Sequence, residues 1–261
     1  MKVKALFIAA AIIAFLGSAT AQTYKSDVRI DGFHGNVKQV EQKLYEARVV
    51  GETMERGELM ENLQTLYTTR GYRKSMTFLS VGEQDVIFRT RYKHDGFGLV
   101  TLEHIVDPQE RVIGRTVYIY DAQNRLTETY VEDAERQVEN RVLIIYDGQG
   151  RVSQRSYNDP FNNIYKREVY SYTKNGNIAI TKVFNREKKK IQELRYEYDE
   201  HNMVVSQTLF DYTEDEPEVF VTLFVYRYDK QGNWIQKTEY TLENDRTVPQ
   251  FITERFIEYF E

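Results

Sequence analysis

Tyr120-Asp121-Ala122-Gln123-Asn124-Arg125-Leu126 and Tyr146-Asp147-Gly148-Gln149-Gly150-Arg151-Val152 are two copies of one pattern, 26 residues apart. In each, a strand-like run ends on tyrosine and an aspartate opens a turn, where its carboxylate can accept nearby backbone N–H groups. An asparagine or glycine closes the turn, because these residues adopt a positive φ at little steric cost. Working outward, the anchors are Tyr67, Tyr92, Tyr120, Tyr146, Tyr172, Tyr198 and Tyr228, spaced 25, 28, 26, 26, 26 and 30 residues apart. Gly71, Gly96, Asn124, Gly150, Gly176, Asn202 and Gly232 occupy the fourth position after each. Aspartate is less strict, with Thr68, Lys93 and Thr173 in its place in three copies. A fixed period of this length marks an array of one supersecondary unit.

Between anchors the chain reads as paired strands. Thr65, Thr90, Tyr118, Ile144, Tyr170, Tyr196 and Tyr226 lie two residues before the anchors, on the same strand face. Apolar residues resume after the turn at Leu126, Val152, Ile178, Val204 and Trp234. A second turn signal falls midway through each unit, as at Val81–Gln84, Asp107–Glu110, Asn158–Pro160, Arg186–Lys189 and Glu214–Pro217. Each unit is therefore a hairpin, and Asp31–Gly35 reads as a diverged first copy with a longer inner loop around Met54 to Gly57. Val37, Val40, Leu44 and Ala47 could share a helical face, but the β-prone Tyr45, Val49 and Val50 favour a strand. The expectation is an all-β, antiparallel up-and-down meander of about 16 short strands in hairpin units. One long twisted or curled sheet, with aromatic residues on its concave side, suits the single-unit period. A four-bladed propeller is the alternative, since two units make a four-stranded block.

Residues 1–21 read as a signal peptide, with Lys2 and Lys4 before an apolar run and Ala19-Thr20-Ala21 as the cleavage signal. Residues 22–261 then form a single repeat domain, exported to the periplasm or beyond the cell. Losing the two lysines takes the net charge from −5 to −7, which speaks against nucleic acid or an anionic membrane surface as partner. The chain has no cysteine, so sheet packing rather than disulfides must hold it. A lipid-facing strand must stay apolar, whereas Glu193, Arg195 and Glu197 share one face, and the mean hydropathy is −0.60. That pattern predicts no membrane span.

The blocks YDAQNRLTE, YDGQGRVSQ and YDKQGNWIQK, with YTKNGNIAI and YDEHNMVVS, resemble the YD repeats of bacterial Rhs-type proteins. The hairpins are more loosely similar to MORN repeats. The resemblance covers about residues 60–240 and is specific for hairpin architecture. The ends of the chain look like those of small exported bacterial proteins built only from such repeats. In large Rhs and teneurin proteins the repeats wind into a shell around a toxin or another domain. The short array here does not bring that encapsulating role with it.

No metal, phosphate-loop or nucleophile motif is present in the sequence. His34, His94 and His201 lie in or beside turns, and His104 lies in a strand. The acidic run Asp211, Glu214, Asp215, Glu216 and Glu218 reads as a solvated hairpin tip rather than a calcium loop. No catalytic residue, metal ligand or cofactor is expected. Two functions fit: an exported non-catalytic binding or scaffold module of the cell envelope, whose ligand is a glycan or protein, or a polysaccharide hydrolase with inward-facing carboxylates. The first is favoured, with Trp234, Tyr226 and Tyr228 as the candidate binding surface. The run Phe251–Phe256 at the end of an open sheet would invite a homodimer by edge pairing.

Overall fold

The computed structural model describes residues 26–214, 216–243 and 246–261; the expected signal peptide lies outside them. A short helix, α1 (Asp27–Ile30), precedes sixteen strands. The first eight are β1 (Val37–Val50), β2 (Thr53–Tyr67), β3 (Arg73–Leu79), β4 (Val86–His94), β5 (Val100–Val106), β6 (Val112–Tyr120), β7 (Leu126–Asp133) and β8 (Val138–Tyr146). The rest are β9 (Val152–Asn158), β10 (Ile164–Tyr172), β11 (Ile178–Asn185), β12 (Lys190–Tyr198), β13 (Val204–Asp211), β14 (Glu218–Tyr228), β15 (Trp234–Glu243) and β16 (Arg246–Tyr259).

Each strand pairs antiparallel with its neighbours in sequence, and β1 pairs with β16 from Val37↔Tyr259 to Glu46↔Phe251. The sheet therefore closes into a barrel. This corrects both expected architectures: the ladder has no free edge, and no break every four strands that a propeller would need. The strand count and the meander order stand. Charges on both strand faces fit a wall with solvent on both sides. The edge expected to dimerise, Phe251–Phe256, is spent on β1. Closure removes the unpaired N–H and C=O groups that make an open edge sticky.

The two faces of the wall differ. Ile119, Ile145 and Val225 are 40%, 52% and 55% exposed on one face, where side chains splay apart on a convex surface. The alternating set, including Tyr118, Ile144, Tyr226 and Arg255, points into the lumen. Sixteen strands enclose more space than their own side chains fill, so the barrel is hollow.

Seven turns at one end follow the anchor tyrosines. Asp121 shows the geometry: its N–H bonds the Arg125 carbonyl, the Asn124 N–H bonds its own carbonyl, and its Oδ1 accepts from the Gln123 and Arg125 N–H groups. The copy after Tyr92 is displaced by two residues, with Asp95 opening the turn, so Gly98 rather than Gly96 takes the positive φ. The turns at the opposite end repeat the geometry with unexpected residues. Glu110, Arg136, Asn162 and Lys188 there carry φ of 63–66°, while Gln84, with φ of 57°, sits in a turn one residue longer, closed by the Ser80 N–H on the Asp85 carbonyl. The positive φ is what the turn requires, and asparagine or glycine is only its least strained provider. The expected first copy at Asp31–Gly35 is not a hairpin either. It continues from α1 as an irregular segment, while β1 and β2 form a long hairpin turning at Gly51 and Glu52.

Nothing lies within 4 Å of a Cβ placed on Gly150, so its cost is purely conformational. Gly150→Ala is expected to lower unfolding stability by about 1–2 kcal/mol. Lys188→Gly is expected to cost less than about 0.5 kcal/mol or to stabilise, since strain relief offsets lost chain entropy. Urea denaturation of the two variants checks the contrast.

Candidate functional site

The tyrosine stripe first explains the period. Tyr120, Tyr146, Tyr172 and Tyr198 each donate a hydroxyl hydrogen to the carbonyl 20 residues earlier, at Val100, Leu126, Val152 and Ile178, over 2.6–2.9 Å. Tyr226, two residues before the anchor Tyr228, reaches 22 residues back to the Val204 carbonyl at 3.0 Å. Each anchor thus ties one hairpin to the start of the strand in the hairpin before. Arg125 and Arg151 pair with Asp121 and Asp147 at 2.7 Å, and each guanidinium lies over the next tyrosine ring, Tyr146 at 4.7 Å and Tyr172 at 4.4 Å. The motif is a chain of staples along the wall.

The anchor-turn end of the lumen is filled by residues 26–36. Val28 and Phe33 are buried with Val37, Val40 and Tyr67, against Ile257 and Tyr259. Polar contacts then fix the segment to strands around the wall. Asp27 accepts from the Arg73 N–H at 2.6 Å and lies 2.7 Å from His94 Nε2. Asp31 takes a fork from Arg73, at 3.1 Å from Nε and 2.6 Å from Nη2, and the Tyr67 hydroxyl at 2.7 Å. On the far side His34 N–H donates to Asn233 Oδ1 at 2.7 Å, and Asn233 reaches the Tyr259 hydroxyl, which itself donates to Asp229. Burial works against the Arg73 charge, but Asp31, Tyr92 and Asp27 together outweigh it and hold the guanidinium well above its ordinary range. The opposite end is ringed by hairpin turns, and no other segment among the described residues forms an equivalent insert there.

Two tyrosine–carboxylate clusters line the wall above this floor. Glu103 accepts the Tyr118 hydroxyl at 2.5 Å. Burial raises its pKa, more than that hydrogen bond lowers it. Glu168 accepts the hydroxyls of Tyr157 and Tyr170, and Lys166 Nζ at 2.9 Å. These partners hold its carboxyl below the usual range against the effect of burial. Glu61, also inward-facing, is raised by burial alone. Glu61 and Glu103, the two lumenal carboxylates with raised pKa, stand on β2 and β5. Three strand spacings separate them, roughly 14 Å, wider than the roughly 5–9.5 Å of a glycosidase pair.

The three residues singled out from sequence come together on the lumen floor. Trp234 is the register partner of Tyr228, and Tyr226 meets Trp234 edge-on at 6.1 Å and Tyr228 at 6.3 Å. Sequence reasoning missed Arg255, whose guanidinium lies 3.4 Å from the Trp234 ring centre and 4.8 Å from that of Phe33. Its signal was faint: one arginine among apolar inward positions of the last strand. Among the described residues no cluster of three or more histidine, aspartate or glutamate side chains could hold a metal ion. Asp211 of the acidic tip bonds Thr213 and Gln192.

The outer face carries charges at mid-strand. Arg115 pairs with Glu132 at 3.6 Å, Arg141 with Glu128 at 3.2 Å, and Glu193 with both Lys190 and Arg195. No helix among the described residues is long and apolar enough to cross a membrane.

No family model and no curated protein matches the chain in sequence. Solved structures do share its fold. A porin-like protein from Bacteroides uniformis superposes with a TM-score of 0.58 at 10% identity, covering 91% of this chain and 100% of that one. The fold is similar to a porin-like barrel. The Tc holotoxin pore of Photorhabdus luminescens matches at 14% identity and a TM-score of 0.35, over 79% of this chain and 13% of its own. A TcdB2–TccC3 toxin assembly matches at 13% identity and a TM-score of 0.28, again over 13% of its length. Likeness at that level leaves the YD-repeat resemblance resting on the sequence blocks.

Asp31→Ala strands the Arg73 charge among buried groups, and is expected to cost about 3 kcal/mol or more. Urea denaturation gives the loss, and limited proteolysis should cut first within residues 26–36. The turn carboxylates give a pH dependence. Asp121 and Asp159 are held below the ordinary carboxylate range chiefly by backbone N–H groups; in Asp147 such bonds outweigh a burial effect of opposite sign. A depressed folded pKa contributes stability above the unfolded value, near pH 4, that disappears as pH falls through the folded value. Urea midpoints measured between pH 5 and 2 should fall, and Asp121→Asn should flatten the fall.

Proposed function

We propose that the mature chain is a water-soluble, exported β-barrel that acts as a binding or scaffold module of the bacterial envelope. The observation that carries this reading is a closed sixteen-strand barrel, plugged at one end, whose inner face carries aromatic and charged side chains. Such a chamber suits holding a ligand better than passing one through. Export rests on the signal-peptide pattern of residues 1–21. Solubility rests on the outward ion pairs, since charges at mid-strand on a lipid-facing wall are costly. Six of the strands from β3 to β13 are also shorter, at 7–8 residues, than the roughly 9–11 residues of most membrane strands.

The ligand is a glycan or a segment of protein, and the binding surface includes Trp234, Tyr226 and Tyr228. Aromatic rings offer flat contact area with a polar edge, which both ligand classes use. A non-catalytic role is favoured over hydrolysis because Glu103 and Glu168 are each bound to tyrosine hydroxyls, and among the described residues Glu61 and Glu103, the lumenal carboxylates with raised pKa, stand three strand spacings apart.

The test is a thermal-shift screen of residues 22–261, purified without detergent, against bacterial and host glycans. The expected result is a saturable rise in Tm without product formation, lost in Tyr226→Ala. Insolubility without detergent, or release of sugar from the glycan, would sink this reading.

A further inference from the structure

Arg255 is the odd cation of the lumen floor. Arg73, Lys166 and Lys237 each have a carboxylate at 2.6–2.9 Å, on Asp31, Glu168 and Glu239. Arg255 has none. Its Nε donates to Gln42 Oε1 at 3.0 Å, and its plane is held between the Trp234 and Phe33 rings. Its two terminal nitrogens make no hydrogen bond among the described residues, yet they are not among the sealed, unpartnered polar atoms of the structure. The fork of donors is therefore open to lumen water. Asp31 lies nearby but is spent on Arg73 and Tyr67. Burial pulls the Arg255 pKa down to about 9, with the neighbouring Tyr67 and Asp31 pushing the other way. The side chain still carries its charge at neutral pH.

A charged guanidinium taken out of bulk water with no counter-charge is costly, and folds retain one mainly where something else supplies the anion. The surroundings are pre-arranged for that. The stacking rings and Gln42 fix the guanidinium orientation, so no rotamer freedom remains to be lost when a ligand arrives. Thr253 lies two residues along on the same lumenal face, opposite Lys237, which in turn faces Tyr226. Beside the fork is thus a hydroxyl, a second cation and an aromatic ring, rising towards the unplugged mouth.

We propose that Arg255 anchors a carboxylate-binding site on the lumen floor, taking a small organic acid whose body rests against Tyr226. The planar fork matches a carboxylate in bidentate geometry, which a lysine could not reproduce. An acidic sugar and a peptide C-terminus both present this group. The inference rests on the reading of the lumen as a binding chamber and names the chemistry it would select.

Trp234 is the chain's only tryptophan and touches the guanidinium, so its fluorescence reports occupancy directly. The mature protein is titrated with glucuronate, N-acetylneuraminate and a dipeptide with a free C-terminus, each beside its methyl ester or amide. A saturable change with an acid and none with its ester is expected. Affinity should fall about ten-fold or more in Arg255→Gln, the scale of a lost charge-assisted hydrogen bond. Arg255→Lys keeps the charge without the fork, and should also weaken binding if the glutamine variant does not fold. A response to the sugars alone, or to the dipeptide alone, supports the site and assigns its source. Equal responses to acid and ester, unchanged affinity in a folded Arg255→Gln or Arg255→Lys, or no response to any acid would overturn it. Glycan thermal shifts that survive Arg255→Gln would remove this site while leaving the binding chamber standing.

Discussion

The ladder between β1 and β16 is the constraint on which everything else depends. Fifteen hairpin-type connections place neighbouring strands side by side whether the sheet closes or not. Only the pairing from Val37 to Glu46 against Tyr259 to Phe251 turns a ribbon into a chamber. Once it forms, strand faces become an inside and an outside. Arg255 on β16 is then brought opposite Gln42 on β1, 213 residues away in the chain. The floor of the lumen is assembled across this seam.

The anchor tyrosines show why so much of the architecture could be read from sequence. Their hydroxyls bond a carbonyl 20 residues back, so the chemistry that joins hairpins is local and recurs with the period. Strand number, strand order and the positions of the turns follow from it. Closure was not legible because the repeats are identical in an open or closed array; the deciding pairing lies between the two ends, which depart from the repeat. The unusual length of the first hairpin and of β16, each strand 14 or 15 residues, was the available hint. The turn residues taught a narrower lesson. Treating asparagine and glycine as obligatory hid the geometry, though not the place, of the midway turns, because Arg136 and Lys188 adopt the same backbone at a modest energetic cost.

The candidate site was half legible. Trp234, Tyr226 and Tyr228 are neighbours because one hairpin carries them, and their clustering needs no long-range contact. Arg255 and Phe33 complete the site from the two ends of the chain. No local pattern marks them, since their meaning comes only from the plug and the seam. The same division separates the two lumenal arginines near the floor. Arg73 is neutralised by Asp31 of the plug segment, whereas Arg255 meets only rings and an amide. Two arginines on one face are thus told apart by their counter-ions alone: one has a protein carboxylate and the other has none.

The plug also acts as a brace. Residues 27–34 reach from His94 on β4 to Asn233 at the start of β15, across the seam between β1 and β16. Five strand spacings of wall, about 24 Å of arc, lie between those two points. Gain or loss of a hairpin elsewhere would change the bore by about 3 Å but this chord by only about 1 Å. The array would accept such a change, as repeats do. Opening of the seam would instead pull the two sets of plug contacts apart. The closing ladder is therefore backed by a stretch of sequence that belongs to none of the hairpins.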